Sequence, residues 1–292
     1  NNMKGLKYFL VFIISFSFNG YLLSQVAGTI YIPSTNYPYV KTAIDSLNVH
    51  GVGAGGVIFN VIAGHTETNS RIVLNTTTSS SANAIVFQKF GAGTNPLITA
   101  GTGTGSLDGI IMIEGTDFVT FDGIDLKENA SSNDATAQME WGYAILKAGT
   151  NNGSRFITIK NCNIGLRRLP NTNGTYGIYS ANHTSSSIAE LTINDTLGTN
   201  SFLKIYSNTI DSAYKGIHIN GYNHTSSPYR YYDHYNEIGV EGGNKVNNVG
   251  NSTSLGDSYG IYARYQDSLK VYNNVVDNDT LSSGNTYGIY LD

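Results

Sequence analysis

The sequence predicts an all-β chain wound as a right-handed parallel β-helix, a solenoid with an N-terminal capping segment. Three observations carry this. Short words recur along the chain, the apolar residues inside them alternate and then pause at a small or polar residue, and the connections are rich in Asn, Gly, Ser and Thr. A propeller also repeats at such spacings, but its antiparallel blades need hairpin turns between strands.

The first word is Tyr-Gly-Ile-Tyr, at Tyr176-Gly177-Ile178-Tyr179, Tyr259-Gly260-Ile261-Tyr262 and Tyr287-Gly288-Ile289-Tyr290. Variants are Asp108-Gly109-Ile110-Ile111-Met112 and Lys215-Gly216-Ile217-His218-Ile219. The second word reads Val119-Thr120-Phe121-Asp122-Gly123-Ile124-Asp125-Leu126 and returns from Ile157 to Ile164, Leu203 to Ile210 and Leu269 to Val276. Its pause falls at Gly123, Asn161, Ser207 or Asn273, where Gly and Asn tolerate the left-handed backbone of a sharp bend. A strand, a bend and a second strand make one corner of a coil. Such a coil buries its inward face only by stacking on its neighbours.

Residues 1–24 read as a signal peptide. Lys4 and Lys7 precede or flank an apolar run from Tyr8 to Phe18, and the small Ser24 precedes a plausible cut. The run is too short for a membrane span, and Met3 is the expected start. Removing this segment takes away two of the 17 basic residues and none of the 21 acidic ones, so the exported chain is acidic and nucleic acid is not an expected partner. Cys162 is the single cysteine, so the fold must hold without internal disulfides. It falls just past a bend and is expected to be buried and unreactive.

Residues 25–107 are expected to form the N-terminal cap and first coils. Val40, Ala43, Ile44 and Leu47 lie on one face of a short helix from Pro38 to Leu47, which would cover the open edge of the first coil. The strand Val57 to Ile62 follows. Residues 108–292 are the coils proper, with excursions at Thr184 to Ile188, Tyr222 to Pro228 and Asn248 to Leu255. Tyr179, Tyr262 and Tyr290 share one coil position and Tyr206 and Tyr272 another, so two outer aromatic ladders are expected. The last Gly-Ile-Tyr word runs to Leu291-Asp292, so truncation at the C-terminus is expected.

With these words in place the chain resembles the pectin-lyase-like right-handed parallel β-helix superfamily, and more closely the large secreted β-helix surface proteins of Bacteroidota. The carrying segments are Gly56 to Glu67, Ala84 to Gln88, Phe118 to Leu126 and Met139 to Lys147, together with the repeats. The resemblance implies a surface or adhesin-like molecule of the type IX secretion class, although the sorting domain of that class is not among these residues. Asp45-Ser46-Leu47, Asp195-Thr196-Leu197, Asp211-Ser212-Ala213, Asp267-Ser268-Leu269 and Asp279-Thr280-Leu281 resemble the O-glycosylation sites of that phylum, or are polar turns. Triplets such as Asn75-Thr76-Thr77 and Asn223-His224-Thr225 are explained by composition in an Asn-rich chain.

The candidate ligand contact is the insertion holding Tyr222, Tyr229, Arg230, Tyr231, Tyr232, Asp233, His234 and Tyr235. Aromatic faces flanked by hydrogen-bonding groups suit sugar rings; packing of the tyrosines against the coils is the other reading. A lyase of this fold needs a basic residue and clustered carboxylates, for which Arg167-Arg168, Lys160, Asp122 and Asp125 are the candidates. A glycosidase needs paired carboxylates, and Asp233 with Glu237 is the nearest pair. His218, His224 and His234 are irregularly spaced and no metal site or cofactor is assigned. The expectation is therefore a secreted or cell-surface, non-catalytic, monomeric scaffold that contacts a polysaccharide or cell-surface glycan. The alternative is a carbohydrate-active β-helix enzyme.

Overall fold

The structure, a computed structural model, describes residues 24–69, 71–131, 136–168, 174–250, 256–278 and 285–292. The expected signal peptide except Ser24, part of the third excursion and the Asp279-Thr280-Leu281 site lie outside them. Three all-parallel sheets run along one solenoid. The first has eight strands, Val26–Ile32, Val52–Ile62, Ile85–Phe90, Val119–Asp122, Ile157–Lys160, Lys204–Tyr206, Glu237–Ile238 and Lys270–Val271. The second and third have seven each, from Thr66–Asn69 to Val275–Asn278 and from Ile72–Leu74 to Thr286–Leu291. The chain visits the three in turn once per coil, which makes a right-handed parallel β-helix.

Parallel register places like on like. Phe59, Phe87 and Phe121 occupy one inward column of the first sheet and stack at 4.7 and 5.1 Å, and Ile159, Ile205 and Ile238 continue it. Leu126, Ile164, Ile210 and Val246 form the inward column of the second sheet. This column explains the glycine of the first word. A Cβ at Gly177 or Gly216 would fall on Ile210 or Val246 of that column, so the third sheet can approach only where side chains are absent.

The bends lie at the four pauses of the second word, with φ of 66°, 58°, 55° and 56° at Gly123, Asn161, Ser207 and Asn273. The next position holds an internal asparagine ladder. Asn208 donates its backbone N–H and Nδ2 to Asn244 Oδ1, each at 3.0 Å, and Asn244 donates likewise to Asn274 Oδ1. The Nδ2 groups also reach the carbonyls of Ile159 and Ile205, so each buried amide satisfies the corner backbone of two coils. Cys162 heads this ladder, its N–H bonded to Asn208 Oδ1, and burial pushes its thiol up to about 12.

Asn244 belongs to a coil absent from the repeat list. Its strands Glu237–Ile238 and Lys245–Val249 are split by Val240-Glu241-Gly242-Gly243, which breaks the second word. The same coil corrects the expected Tyr206–Tyr272 ladder. Gly239 stands between them in the column, two rungs put them near 10 Å apart at about 4.8 Å each, and no stack forms.

The helix is Val40–His50, starting two residues later than expected, and Val40, Ala43, Ile44 and Leu47 are fully buried. Its first turn has no acid, and Tyr39 makes no side-chain cap. Glu67, the one acid in the inward column of the second sheet, supplies it: Oε2 accepts from Val40 N at 2.7 Å and Oε1 from Lys41 N. A carboxylate at a helix N-terminus satisfies orphan donors and complements the dipole. The capping strand Val26–Ile32 precedes the helix and pairs with Val52–Ile62, so the cap is a strand and a helix together.

Asn244→Ala should cost about 2–3 kcal/mol, because Asn208 and the Ile205 carbonyl lose their buried partner, while Asn247→Ala on the outer face should cost under about 0.5 kcal/mol. Urea unfolding of both variants checks this difference.

Candidate functional site

The tyrosine-rich excursion leaves the third sheet after Lys215–Asn220 and returns through Asp233–His234, which pairs with Gln266–Asp267. Turns closed by Tyr229 N to Ser226 O and Tyr232 N to Tyr229 O fold it back on itself. Its rings then pair internally: His224 with Tyr231 at 4.7 Å, Tyr229 with Tyr232 at 5.2 Å, and Tyr232 with Tyr265 of the next coil at 5.6 Å. Tyr222 lies 6.3 Å from His224 and is half-buried, whereas Tyr229 keeps 44% of its surface and Arg230 is exposed. His234 is held at both ring nitrogens, by Asp267 Oδ2 at 2.9 Å and the Arg230 carbonyl at 2.8 Å.

Asp233 does not belong with these surface groups. It is fully buried, accepts from Asn200 N at 2.8 Å, and faces the equally buried Lys147 at 3.7 Å. Burial raises the Asp233 carboxyl and lowers the Lys147 ammonium, each outweighing the attraction of its partner. Glu237 points outward to Lys270, so Asp233 and Glu237 form no catalytic pair. The corner at Tyr235, with φ of 55°, turns the chain between them, and the pair falls on opposite sides of the wall.

Tyr235 is the most open aromatic of the group at 55% exposure. It belongs to a second corner column, Phe118, Phe156, Phe202 and Tyr235, stacked at 4.4, 4.5 and 5.5 Å. All four residues have φ between 54° and 62°, rare for large side chains, yet their N–H groups continue the interstrand ladder through the corner. The next residue in the column is Ser268, so no ring covers the far face of Tyr235. A cavity of about 350 Å³ lies beside it, lined by Phe156, Phe202, Tyr235, Lys204, Glu237 and Lys270 among others.

Sequence reasoning missed this column because Phe118, Phe156 and Phe202 precede the words rather than belong to them. The expected Tyr179–Tyr262–Tyr290 ladder is present and longer. Trp141, Tyr179, His218, Tyr262 and Tyr290 stack in sequence at 5.1, 5.6, 4.4 and 5.4 Å, with His218 filling the rung between tyrosines. His218, His224 and His234 are thus dispersed among three environments. Among the described residues no group of three or more His, Cys, Asp or Glu is arranged to hold a metal ion.

Of the lyase candidates, Asp125 and Arg167 lie at the second sheet. Lys127, Arg167, Asp125, Glu128 and Asp211 border a groove of about 550 Å³. Four of its charged groups are internally engaged: Asp125 accepts from Asn95 and Asn163, Glu128 from Met139 N, and Asp211 from Asn248, while Arg167 donates to Ala130 O. Lys160 pairs with Asp122 at 3.1 Å on the first sheet, and Arg168 borders a smaller cavity beside Arg167.

A third concavity, of about 350 Å³, lies on the outer face of the third sheet against Glu140, Trp141, Tyr176 and Tyr179. Glu140 and Lys147 end an apolar strand buried on both faces, Trp141–Leu146, and that setting was their only signal in the sequence. No family model matches the chain, and no curated protein matches it. Among the described residues no helix is long and apolar enough to cross a membrane.

Burial, followed by the neighbouring Asp108, raises the Glu140 carboxyl from 4.5 to about 8. The unfolded chain loses this proton first, so Glu140 favours folding fully below pH 4.5 and that contribution is lost as pH rises to about 8. Urea midpoints across that range should fall with pH in the native chain and fall less steeply in Glu140→Gln.

Proposed function

We propose that this chain is a secreted or cell-surface β-helix scaffold, non-catalytic and monomeric, that contacts a polysaccharide or cell-surface glycan through its excursion and the adjoining corner. The reading also places it with the pectin-lyase-like β-helices and the large surface proteins of Bacteroidota. One observation carries it: Tyr235 offers an uncovered ring face beside Lys204, Glu237 and Lys270. An open aromatic face binds the C–H face of a pyranose while charged and hydroxyl groups take its polar edge. Exposed Tyr229 and Arg230 on the excursion extend the same contact. The acidic balance of the chain is the reason nucleic acid is not the proposed partner.

On a glycan array the chain should retain a defined set of glycans, and Tyr235→Ala should weaken binding about tenfold with Tyr229→Ala weakening it less. Absence of binding to any glycan, or unchanged binding by Tyr235→Ala, contradicts the reading.

The second-sheet groove favours one other reading, a carbohydrate-active enzyme, because it gathers Lys127 and Arg167 with Asp125 and Asp211. Incubation with pectin, alginate and chondroitin should leave their chain lengths unchanged if the scaffold reading holds. Cleavage of any of them, abolished by Arg167→Ala, would establish the enzyme instead.

A further inference from the structure

The outer face of the third sheet is apolar over three coils. Met112, Trp141, Ala144, Leu146 and Ala181 form an apolar cluster separate from the main core, with Val73, Leu107, Tyr176 and Tyr179 packed against it. The segment before strand Gly109–Glu114 contributes Leu107, and the excursion after strand Tyr176–Ala181 contributes Ile188, which is 70% exposed. Between these two segments lies the cavity walled by Glu140, Trp141, Tyr176 and Tyr179. The Thr184 to Ile188 excursion therefore supplies one side of this cavity through Ile188.

Glu140 is the unusual part of this wall. Its side chain is buried to 2% exposure, Oε2 accepts from Asp108 N at 2.9 Å, and Oε1 has no hydrogen-bond partner. A buried polar atom left in this state costs free energy unless a bound group completes it. Every charge packed around it is either acidic or engaged elsewhere. Asp108 is held by Thr104 N, Gly105 N and Arg71 Nε, the last at 3.1 Å. Glu128 is held by the Met139 and Asn129 N–H groups, and its charge raises Glu140 further. Lys215 stands over the Tyr176 ring at 5.3 Å and also over Tyr259. Burial pushes the Tyr176 phenol up to about 12 and the Tyr179 phenol up as well, so neither is charged. Among the described residues no lysine, arginine or histidine pairs with Glu140.

We propose that this cavity binds an organic ammonium ion, its N–H groups donating to Glu140 Oε1 and its alkyl body lying against Leu107, Ile188 and the aromatic edges. An anion is disfavoured by Glu140, Asp108 and Glu128 together. A neutral sugar lacks the open ring face it needs, since Tyr179 is stacked between Trp141 and His218 and Trp141 retains only 3% of its surface. The proposal stands apart from the glycan reading, which uses the opposite features of a different corner.

Binding a cation ionises Glu140, and below about pH 8 that step releases a proton. Calorimetry on the full chain with n-butylammonium, at pH 6, 7, 8 and 9 and in two buffers of different ionisation enthalpy, reads both quantities. Affinity should rise about ninefold from pH 6 to 7, about fivefold from pH 7 to 8, and then level, with about one proton released at pH 7. n-Butanol should not bind, and Glu140→Gln, near-isosteric with the protonated side chain, should weaken n-butylammonium at least about tenfold at pH 8 while keeping a native circular dichroism spectrum. No n-butylammonium binding at pH 8, equal binding of n-butanol, or binding to the wild type without proton release at pH 7 would overturn the proposal. The proton measurement needs no variant, so it decides the matter even if Glu140→Gln fails to fold.

Discussion

Each coil of this chain buries its inward side chains only against the coils on either side, so parallel register is the constraint from which the other features follow. Strand neighbours repeat at about 4.8 Å, close to the spacing of stacked rings and of an amide ladder. That match allows Phe59, Phe87 and Phe121 to stack and Asn208, Asn244 and Asn274 to bond head to tail. It also forces Gly177 and Gly216 where the third sheet meets the Ile210 and Val246 column. Among the described residues no coil precedes the first one, and the helix with its Glu67 cap covers the end of the column.

How much of this was legible in the sequence depends on whether the signal was local. Bends at Gly123, Asn161, Ser207 and Asn273 could be read because Gly and Asn advertise left-handed backbone, and the helix could be read from its apolar face. The coil at Glu237–Ile238 could not, because an insertion separated its two strands and scrambled the spacing. Phe118, Phe156 and Phe202 adopt positive φ for a reason that lies wholly in the neighbouring coils, so no local rule identifies them. The same limit applied to the candidate site. Asp233 sits among surface tyrosines in sequence, yet its partners Asn200 N and Lys147, the latter two coils away in the chain, hold it inward.

The register constraint also decides where the surface can bind anything. Rings inside the columns, such as Tyr179 and His218, spend both faces on stacking and so contribute rigidity rather than recognition. Open faces arise where a column breaks, as at Tyr235 before Ser268, and where an excursion leaves the coil, as at Tyr229. Polar groups left incomplete arise where excursions cover a sheet, as at Glu140. Function in this architecture is expected at interruptions of the repeat, and both candidate sites lie at such interruptions.

Register itself can be measured directly. Thr29, Thr158, Lys204 and Lys270 share one outward column of the first sheet, with Thr158, Lys204 and Lys270 four, five and seven rungs from Thr29. Spin labels placed at Thr29 and at each of the other three in turn should give distances near about 19, 24 and 34 Å, rising by about 4.8 Å per rung. Distances that fail to rise in step with rung number would contradict the stacked, in-register solenoid on which everything above rests.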